Sequence, residues 1–356
     1  MAKKEEMVHA ILLEAAMRRE YLSNATVESV YFGGGTPSIL EIHELRLMLD
    51  EIHRNYTIST SAEITIEANP DDLSGEYLEE LVALGFNRIS IGVQSFHDDE
   101  LLLLNRRHNS LQAIMAIERA RKSGFRNISI DLIYGLPGSG EESWRYSIEK
   151  ATEADIQHIS AYHLSIEPGT VFYRRKIKGL IGDVDEHLSE RQYQVMTDIC
   201  KRHGFVHYEI SSFGKQGYFS GHNTGYWTGK KYLGLGPSAH SYNGFSRQWN
   251  ISNNREYVQG IRDGRPATAG ETLTFRTRFN EYMLTSLRTM WGADLDYINR
   301  KFGREYYKKT IEVLEKYLST GKLIASGNNI RLSEAGMFIS DGIIADFLVI
   351  ADGAKD

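Results

Sequence analysis

Five short runs rich in β-branched and aromatic residues alternate with longer helical patterns along the first half of the chain, and this alternation restricts the architecture more than any other feature. The runs are VESVYF (27 to 32), AEITIEA (62 to 68), NRISIGV (87 to 93), NISIDLI (127 to 133) and HISAYHLS (158 to 165). Segments between them, such as 74–84 and 110–123, carry helix-forming residues at helical spacing, and each closes on a glycine suited to a C-cap, Gly85 and Gly124. Such βα alternation predicts an α/β fold built on a parallel sheet or barrel. The 356 residues are enough for one barrel plus an appendage, with a core that needs no staples. Ahead of the first run, Val8, Ile11, Leu12 and Ala15 fall at i, i+3, i+4 and i+7, so the chain opens on an amphipathic helix whose stripe needs a partner.

In parallel α/β sheets the working residues gather at the carboxyl ends of the strands. Here those ends are Gly33-Gly34-Gly35-Thr36-Pro37, Glu67-Ala68-Asn69-Pro70, Gln94-Ser95-Phe96, and Asp131 followed by Tyr134-Gly135-Leu136-Pro137-Gly138. Three consecutive glycines let the backbone turn sharply and bring N–H groups close to a polar ligand, although a tight βα turn without a ligand has the same signature. The dinucleotide fingerprint G-x-G-x-x-G fails because Ser38 stands at its third glycine. Glu67 suits a ribose hydroxyl, an ammonium group or a helix cap; Gln94, Arg106 and Asp131 are each as ambiguous alone. Their joint occurrence at successive strand ends is the informative pattern.

Composition narrows the function. Lys and Arg number 41 against 47 Asp and Glu, a net charge of −6, so the electrostatic footprint of a dedicated nucleic-acid binder is missing. Glu5, Glu6 and Glu14 interrupt the opening apolar stretch, which therefore does not read as a signal peptide, and no run of about 18 apolar residues is long enough to span a membrane. Cys200 is the single cysteine, which excludes an intramolecular disulfide, a four-thiolate zinc site and an all-cysteine iron-sulfur cluster held within the chain. Such usage predicts a reducing, cytoplasmic setting. Cys200 itself, in the helical stretch VMTDICKRHG, reads as a buried small apolar residue.

The pattern changes from about 205. FVHYEISSF reads as a further strand, and residues 218–244, dense in Gly, Tyr and Trp, read as an ordered loop built around a ligand. Helical segments over 278–290, 294–302 and 305–319, a hairpin over 323–332 and a closing helix predict a winged-helix-like module. From Glu271 onward 12 basic residues face 12 acidic ones, which argues against DNA reading. The expected organisation is a barrel with its extension over 1–245, a connecting segment over 246–270 and the C-terminal module over 271–356.

GGGTPS, TIEANP, RISIGVQSF and DLIYGLPG, in this order and spacing, resemble the radical S-adenosylmethionine (SAM) proteins of the oxygen-independent coproporphyrinogen III oxidase type, and the resemblance covers essentially the whole chain. It implies a partial (βα)6 barrel in which Gly34, Gly35 and Thr36 contact the methionyl group of SAM while Glu67, Gln94, Arg106 and Asp131 line the rest of its pocket. Arg106 would be a bidentate carboxylate partner. His222-Asn223-Thr224-Gly225-Tyr226-Trp227 matches the H-N-x-x-Y-W motif of the heme-chaperone (HemW-like) branch, where the motif is associated with heme. By that resemblance His222 would ligate heme iron, with Asn223, Tyr226 and Trp227 around the macrocycle; His240, in GLGPSAHSY, is a second candidate. On residue chemistry alone, a loop histidine capping a turn beside packed aromatics is the blander alternative.

The resemblance implies a heme-binding chaperone that passes heme to respiratory enzymes and carries a SAM-binding barrel. Its rivals are a coproporphyrinogen III oxidase of porphyrin biosynthesis and a catalytically dead or mis-started form. Family members hold a [4Fe-4S] cluster on a C-x-x-x-C-x-x-C loop after the first barrel strand, a motif that this sequence does not contain. The expectation is thus a barrel lacking its first strand, an opening helix with its apolar stripe uncovered, and no reductive cleavage of SAM by the chain as written. Heme and heme-accepting respiratory enzymes are the implied partners, with peripheral membrane association and a homodimer left open.

Overall fold

The computed structural model describes residues 2–350. Along the chain, α1 (Ala2–Met17) leads to β1 (Val27–Phe32), α2 (Ile42–Asn55), β2 (Ile58–Ala68), α3 (Gly75–Ala83), β3 (Arg88–Gln94), α4 (Asp98–Leu103), α5 (Ser110–Lys122), β4 (Asn127–Tyr134), α6 (Glu141–Glu153) and β5 (His158–His163). Then come α7 (Val171–Ile177), α8 (Glu186–Arg202), β6 (Val206–Glu209) and β7 (Ser212–Gly214). The strands form one seven-stranded sheet in the order β1-β2-β3-β4-β5-β7-β6. The pairs β2–β3, β3–β4 and β4–β5 are parallel, while β7 runs antiparallel to both β5 and β6.

All five expected runs are strands, and β2 starts earlier than its alternation suggested, at Ile58. FVHYEISSF is two antiparallel strands rather than one. The chain reverses at Ile210–Ser211, where the Ser211 N–H donates to Glu209 Oε2 at 3.2 Å and His207 Nε2 donates to the Ile210 carbonyl at 3.2 Å. Helix termini follow their sequence signals. Asn109 and Gln112 form a reciprocal capping box on α5, worth about 1 kcal/mol, and Gly85 and Gly124 take the left-handed φ expected just past α3 and α5.

The molecule divides into two compact units, one of residues 29–42 and 63–220, the other of residues up to 28, 43–62 and those from 221 onward. In the first, each central strand has two different faces. Ile64, Ile66, Ile89, Ile91, Val93, Ile128, Ile130, Leu132 and Ile159 are buried on one side, and Thr65, Glu67, Arg88, Ser90, Ser129, Asp131, His158 and Ser160 alternate with them on the other. A parallel sheet buried on both faces ordinarily reads as continuous apolar runs; a polar second face marks a lined interior. Part of it is satisfied internally: the His158 ring bonds Ser129 Oγ and Tyr208 Oη at 2.8 Å each. Burial holds the His158 pKa well below the usual imidazole value, so the ring is neutral. Cys200 is buried in α8, as expected, and burial pushes its thiol up to about 12.

The second unit adds α9 (Gly221–Trp227), β8 (His240–Tyr242), β9 (Ser246–Asn250), α10 (Asn254–Arg262), β10 (Thr268–Thr272), α11 (Phe275–Leu287), β11 (Ala293–Asp294), α12 (Leu295–Phe302), α13 (Arg304–Leu318), β12 (Leu323–Ser326), β13 (Asn329–Leu332), α14 (Glu334–Met337) and α15 (Ser340–Phe347). β10-β9-β8 and β11-β13-β12 are two small antiparallel sheets. Three helices followed by the β12–β13 hairpin give the winged-helix-like arrangement, around a ring cluster in which Phe279 meets Phe302 and Tyr306 at 5.4 and 4.6 Å.

The opening helix corrects one expectation, because its stripe is covered. Ala10 packs with Tyr257, Val258 and Ile261 of α10, and Met7, Ile11 and Leu13 close around them. The apolar positions of α10 recur at helical spacing and supply the complementary stripe. Glu14, which breaks the apolar run in the sequence, is fully buried and accepts hydrogen bonds from Asn250 Nδ2 (2.7 Å), the Gly236 N–H (2.9 Å) and Tyr257 Oη (2.6 Å), with Arg18 at 3.3 Å. No described helix is long and apolar enough to cross a membrane.

Candidate functional site

The carboxyl ends of β1 to β4 bring polar groups together within the first unit. Glu67 accepts from Tyr31 Oη at 2.7 Å and from the Gly34 N–H at 3.1 Å, so it ties the glycine turn to the end of β2 instead of capping the next helix. Gly33 is indispensable to that contact: a Cβ there would lie 2.3 Å from Tyr31 Cε1 and 2.8 Å from Glu67 Oε1. Gly34 and Gly35 have φ of +79° and +69°, and a Cβ on either would meet nothing within 4 Å, which leaves that side of the turn open to a ligand. Thr36 continues the turn, and Ser38, at the failed third glycine, donates to Asp72 Oδ2 at 2.7 Å.

Gln94 ends β3 in the left-handed region at φ +67°, which L residues other than glycine seldom adopt. The β3–β4 register shifts between Ile91 and Gln94, and this irregularity turns the Gln94 side chain over Gly92, where a Cβ would come within 2.8 Å of its Nε2. A bulge that re-aims one side chain beside a cluster of polar groups is a recurring device of binding sites. Gln94→Gly is expected to stabilise the ligand-free protein by about 1 kcal/mol in a thermal melt. A loss of stability instead would mean that packing on Gly92 outweighs the backbone strain.

Asp131 lies on the polar face of β4, accepting from Ser90 Oγ at 3.2 Å and from Ser160. Burial and then the charge of Glu67 push its carboxyl up to about 6, against the opposing pull of Ser160, Arg88 and Ser90. Arg106, after α4, is half-buried; desolvation lowers its pKa while Asp131 and Asp71 oppose that shift. Among the described residues its guanidinium has no hydrogen-bond partner, in contrast to Arg107, which pairs with Asp71 and Asp72 at 2.7 and 3.1 Å. Two mutually repelling carboxylates beside an uncommitted guanidinium match a ligand that carries both cationic and carboxylate groups.

Reading the sequence missed Tyr31, Ser90 and Ser160. Their signal lay in strand alternation and register: Tyr31 precedes Gly33 by two residues on its strand, and Ser90 and Ser160 sit opposite Glu67 and Asp131 in the parallel ladders.

The H-N-x-x-Y-W residues belong to the second unit and lie on a helix, not a loop. On α9 the i, i+4 spacing sets His222 edge-on to Tyr226, ring centroids 4.7 Å apart, and sets Asn223 and Trp227 on the adjoining face. The ring contacts continue from Tyr226 to Tyr232 at 4.6 Å and from Tyr232 to Tyr242 of β8 at 6.1 Å. Tyr226 is 40% exposed. Arg247 of β9 interacts with Tyr232 and pairs with Glu281 at 2.7 Å. His240 stacks on Trp249, ring centroids 5.7 Å apart.

Residues 5–151 match the family model of the Radical SAM superfamily. The chain is 35% identical over 324 residues to a protein of Bacillus subtilis (strain 168) named heme chaperone HemW, an alignment covering 90% of this chain and 86% of the relative. The chain belongs to the HemW heme-chaperone family. A second HemW, from Mycobacterium tuberculosis (strain ATCC 25618 / H37Rv), is 31% identical over 340 residues, covering 95% of this chain and 85% of that one. Among solved structures, the Escherichia coli coproporphyrinogen III oxidase HemN, described as a radical SAM enzyme, superposes with a TM-score of 0.83 at 21% identity, over 96% of this chain and 82% of that one. That likeness shows the fold, an α/β radical SAM half-barrel.

The family implies SAM and a [4Fe-4S] cluster, which this HemW-family chain fits unequally. The strand-end donor set suits SAM, because Glu67 and Asp131 are acceptors for amine or hydroxyl groups and Arg106 is a donor for a carboxylate. The cluster has no fitting residues: the lone cysteine is buried in a helix with its thiol protonated, and among the described residues no three His, Cys, Asp or Glu side chains are grouped to hold a metal ion.

Proposed function

We propose that this protein is a heme-binding chaperone that holds heme at α9 and passes it to respiratory proteins, with SAM bound at the strand ends of the half-barrel. The observation that carries the heme reading is the helical i, i+4 register of the motif. It sets the His222 ring edge-on to the ring of Tyr226, which is 40% exposed, with Trp227 on the adjoining helix face and Tyr232 behind Tyr226. An imidazole supplies the axial bond, and flat aromatic surface supplies the apolar contact that a macrocycle needs. The relatives' name, heme chaperone, supports the same reading.

In the half-barrel, Gly34, Gly35 and Thr36 would receive the methionyl end of SAM, Arg106 its carboxylate, and Glu67, Gln94 and Asp131 the remaining amine and hydroxyl groups. SAM supplies a cationic sulfonium that offsets the paired carboxylates. The residues present do not fit a cluster, so no electron-transfer step is assigned to this chain.

The test is a titration with ferric heme followed at the Soret band. His222→Ala is expected to weaken binding roughly tenfold or more, about 1.4 kcal/mol per decade, and to replace the imidazole-ligated spectrum by a weaker-field one. Unchanged affinity and spectrum would remove His222 as the ligand.

A further inference from the structure

Arg106 owes its place to the way α4 ends. The Asn105 N–H donates to the Leu102 carbonyl at 3.0 Å and the Arg106 N–H to the Leu101 carbonyl at 2.9 Å, with Asn105 at φ +56°. This is the Schellman pattern, in which the residue after the C-cap turns left-handed and the next one closes back on the helix. Asparagine tolerates that conformation better than most residues with a side chain. The turn uses the carbonyls of Leu101 and Leu102 and passes over that of Leu103, an orphan acceptor of the kind every helix end leaves. Arg175, 72 residues further along, takes it: Arg175 Nη1 donates to the Leu103 carbonyl at 3.1 Å.

The last turn of α4 has little else to hold it. The helix is six residues long, too short to persist on its own propensity, and of its leucines Leu101 is buried while Leu102 is 72% exposed. Its first turn is tied down separately through Glu100, which accepts from Ser139 Oγ at 2.7 Å and from Ser95 and Ser143. At the other end a cation also opposes the partial negative charge of the helix C-terminus.

Arg175 is free for this task. Among the described residues it forms no ion pair, and its guanidinium lies 5.9 Å from the centroid of the Phe172 ring. The helix that carries it, α7, buries none of its seven residues, so the side chain reaches α4 from an exposed element and contributes nothing to a core.

We infer that Arg175 is a positioning residue for SAM: by capping α4 at Leu103 it fixes the backbone from which Arg106 reaches the carboxylate of the ligand. The inference rests on the SAM reading above, in which Arg106 receives that group. Bidentate pairing of a guanidinium with a carboxylate is geometrically demanding, and a shift of about 1 Å in the turn that carries Arg106 is enough to weaken it.

The test is calorimetric titration of the full chain with SAM and with decarboxylated SAM, which keeps the sulfonium, amine and adenosine groups and lacks only the carboxylate. Arg175→Ala is expected to weaken SAM about fivefold and to leave decarboxylated SAM at its wild-type affinity, while Arg106→Ala weakens SAM roughly tenfold or more. The double variant should bind SAM no more weakly than Arg106→Ala alone, because residues that act through one contact are not additive. Retained binding of decarboxylated SAM also reports that each variant is folded. Equal weakening of both ligands by Arg175→Ala would make the residue a structural cap only. Unchanged SAM affinity, or losses that add in the double variant, would overturn the role as well. A wild-type chain that binds neither ligand, or both alike, refutes the reading beneath the inference, and that outcome is visible before any variant is made.

Discussion

Glu14→Ala should destabilise the unit that contains α1 and α10 by about 3–5 kcal/mol, the range for removing one partner from a buried, charge-assisted network. Glu14 has no exposed surface, and its two oxygens satisfy Asn250 Nδ2, the Gly236 N–H and Tyr257 Oη while balancing Arg18. Truncation leaves the Tyr257 hydroxyl and the Gly236 N–H buried without an acceptor, and opens a void between α1 and α10. Glu14→Gln keeps the volume and one acceptor oxygen, so it should lose less. With two compact units, a single global unfolding free energy is ill-defined; hydrogen exchange resolves the effect by segment. Protection is expected to fall across α1, the loop from Gly234 to His240 and α10, and to stay unchanged in β3 and β4. Equal protection of the Gly236 amide in both proteins would show that Glu14 is not the clamp.

This clamp also marks where sequence patterns stop being informative. The barrel strands were legible because a parallel sheet imposes a local code, β-branched runs between helices, and the glycine turn, Glu67, Gln94 and Asp131 were legible because strand ends recur at predictable places. Glu14 read as a flaw in an apolar stretch, since nothing local announces that Asn250 and Tyr257, more than 230 residues away, will surround it. The stripe of α1 read as uncovered for the same reason: its cover, α10, follows in the chain by 236 residues or more. Residues 218–244 read as loop because Gly221 and Gly225 lower helix propensity, whereas the i, i+4 pairing of His222 with Tyr226 accompanies a helix over Gly221–Trp227. The β6–β7 reversal was hidden because Ile210–Ser211 carries neither Gly nor Pro. The strain at Gln94 is a backbone property with no residue-type signal at all.

Asp131→Asn should move stability and ligand binding in opposite directions. Burial and the Glu67 charge raise the Asp131 carboxyl to about 6 in the folded protein, against 3.8 for the ordinary group. A carboxyl whose folded pKa lies above its unfolded one contributes stability that is fully present below about pH 4 and is lost as pH rises through about 6. At pH 7 the ionised side chain therefore costs the ligand-free protein about 3 kcal/mol. An asparagine removes the charge while keeping partners for Ser90 and Ser160, so the variant should melt at a higher temperature at pH 7. Its stability should also vary less between pH 4 and 7. If SAM occupies the strand ends as proposed, the same substitution removes one of two carboxylates facing a cationic ligand, and calorimetric titration should show SAM affinity falling roughly tenfold. A lower melting temperature at pH 7 would mean that Asp131 is a structural anchor. A higher one with undiminished SAM binding would mean that its charge is not directed at the ligand. A rise in stability together with a loss of binding is the signature of a group held at a cost until its ligand arrives, a trade that packing alone has no reason to make.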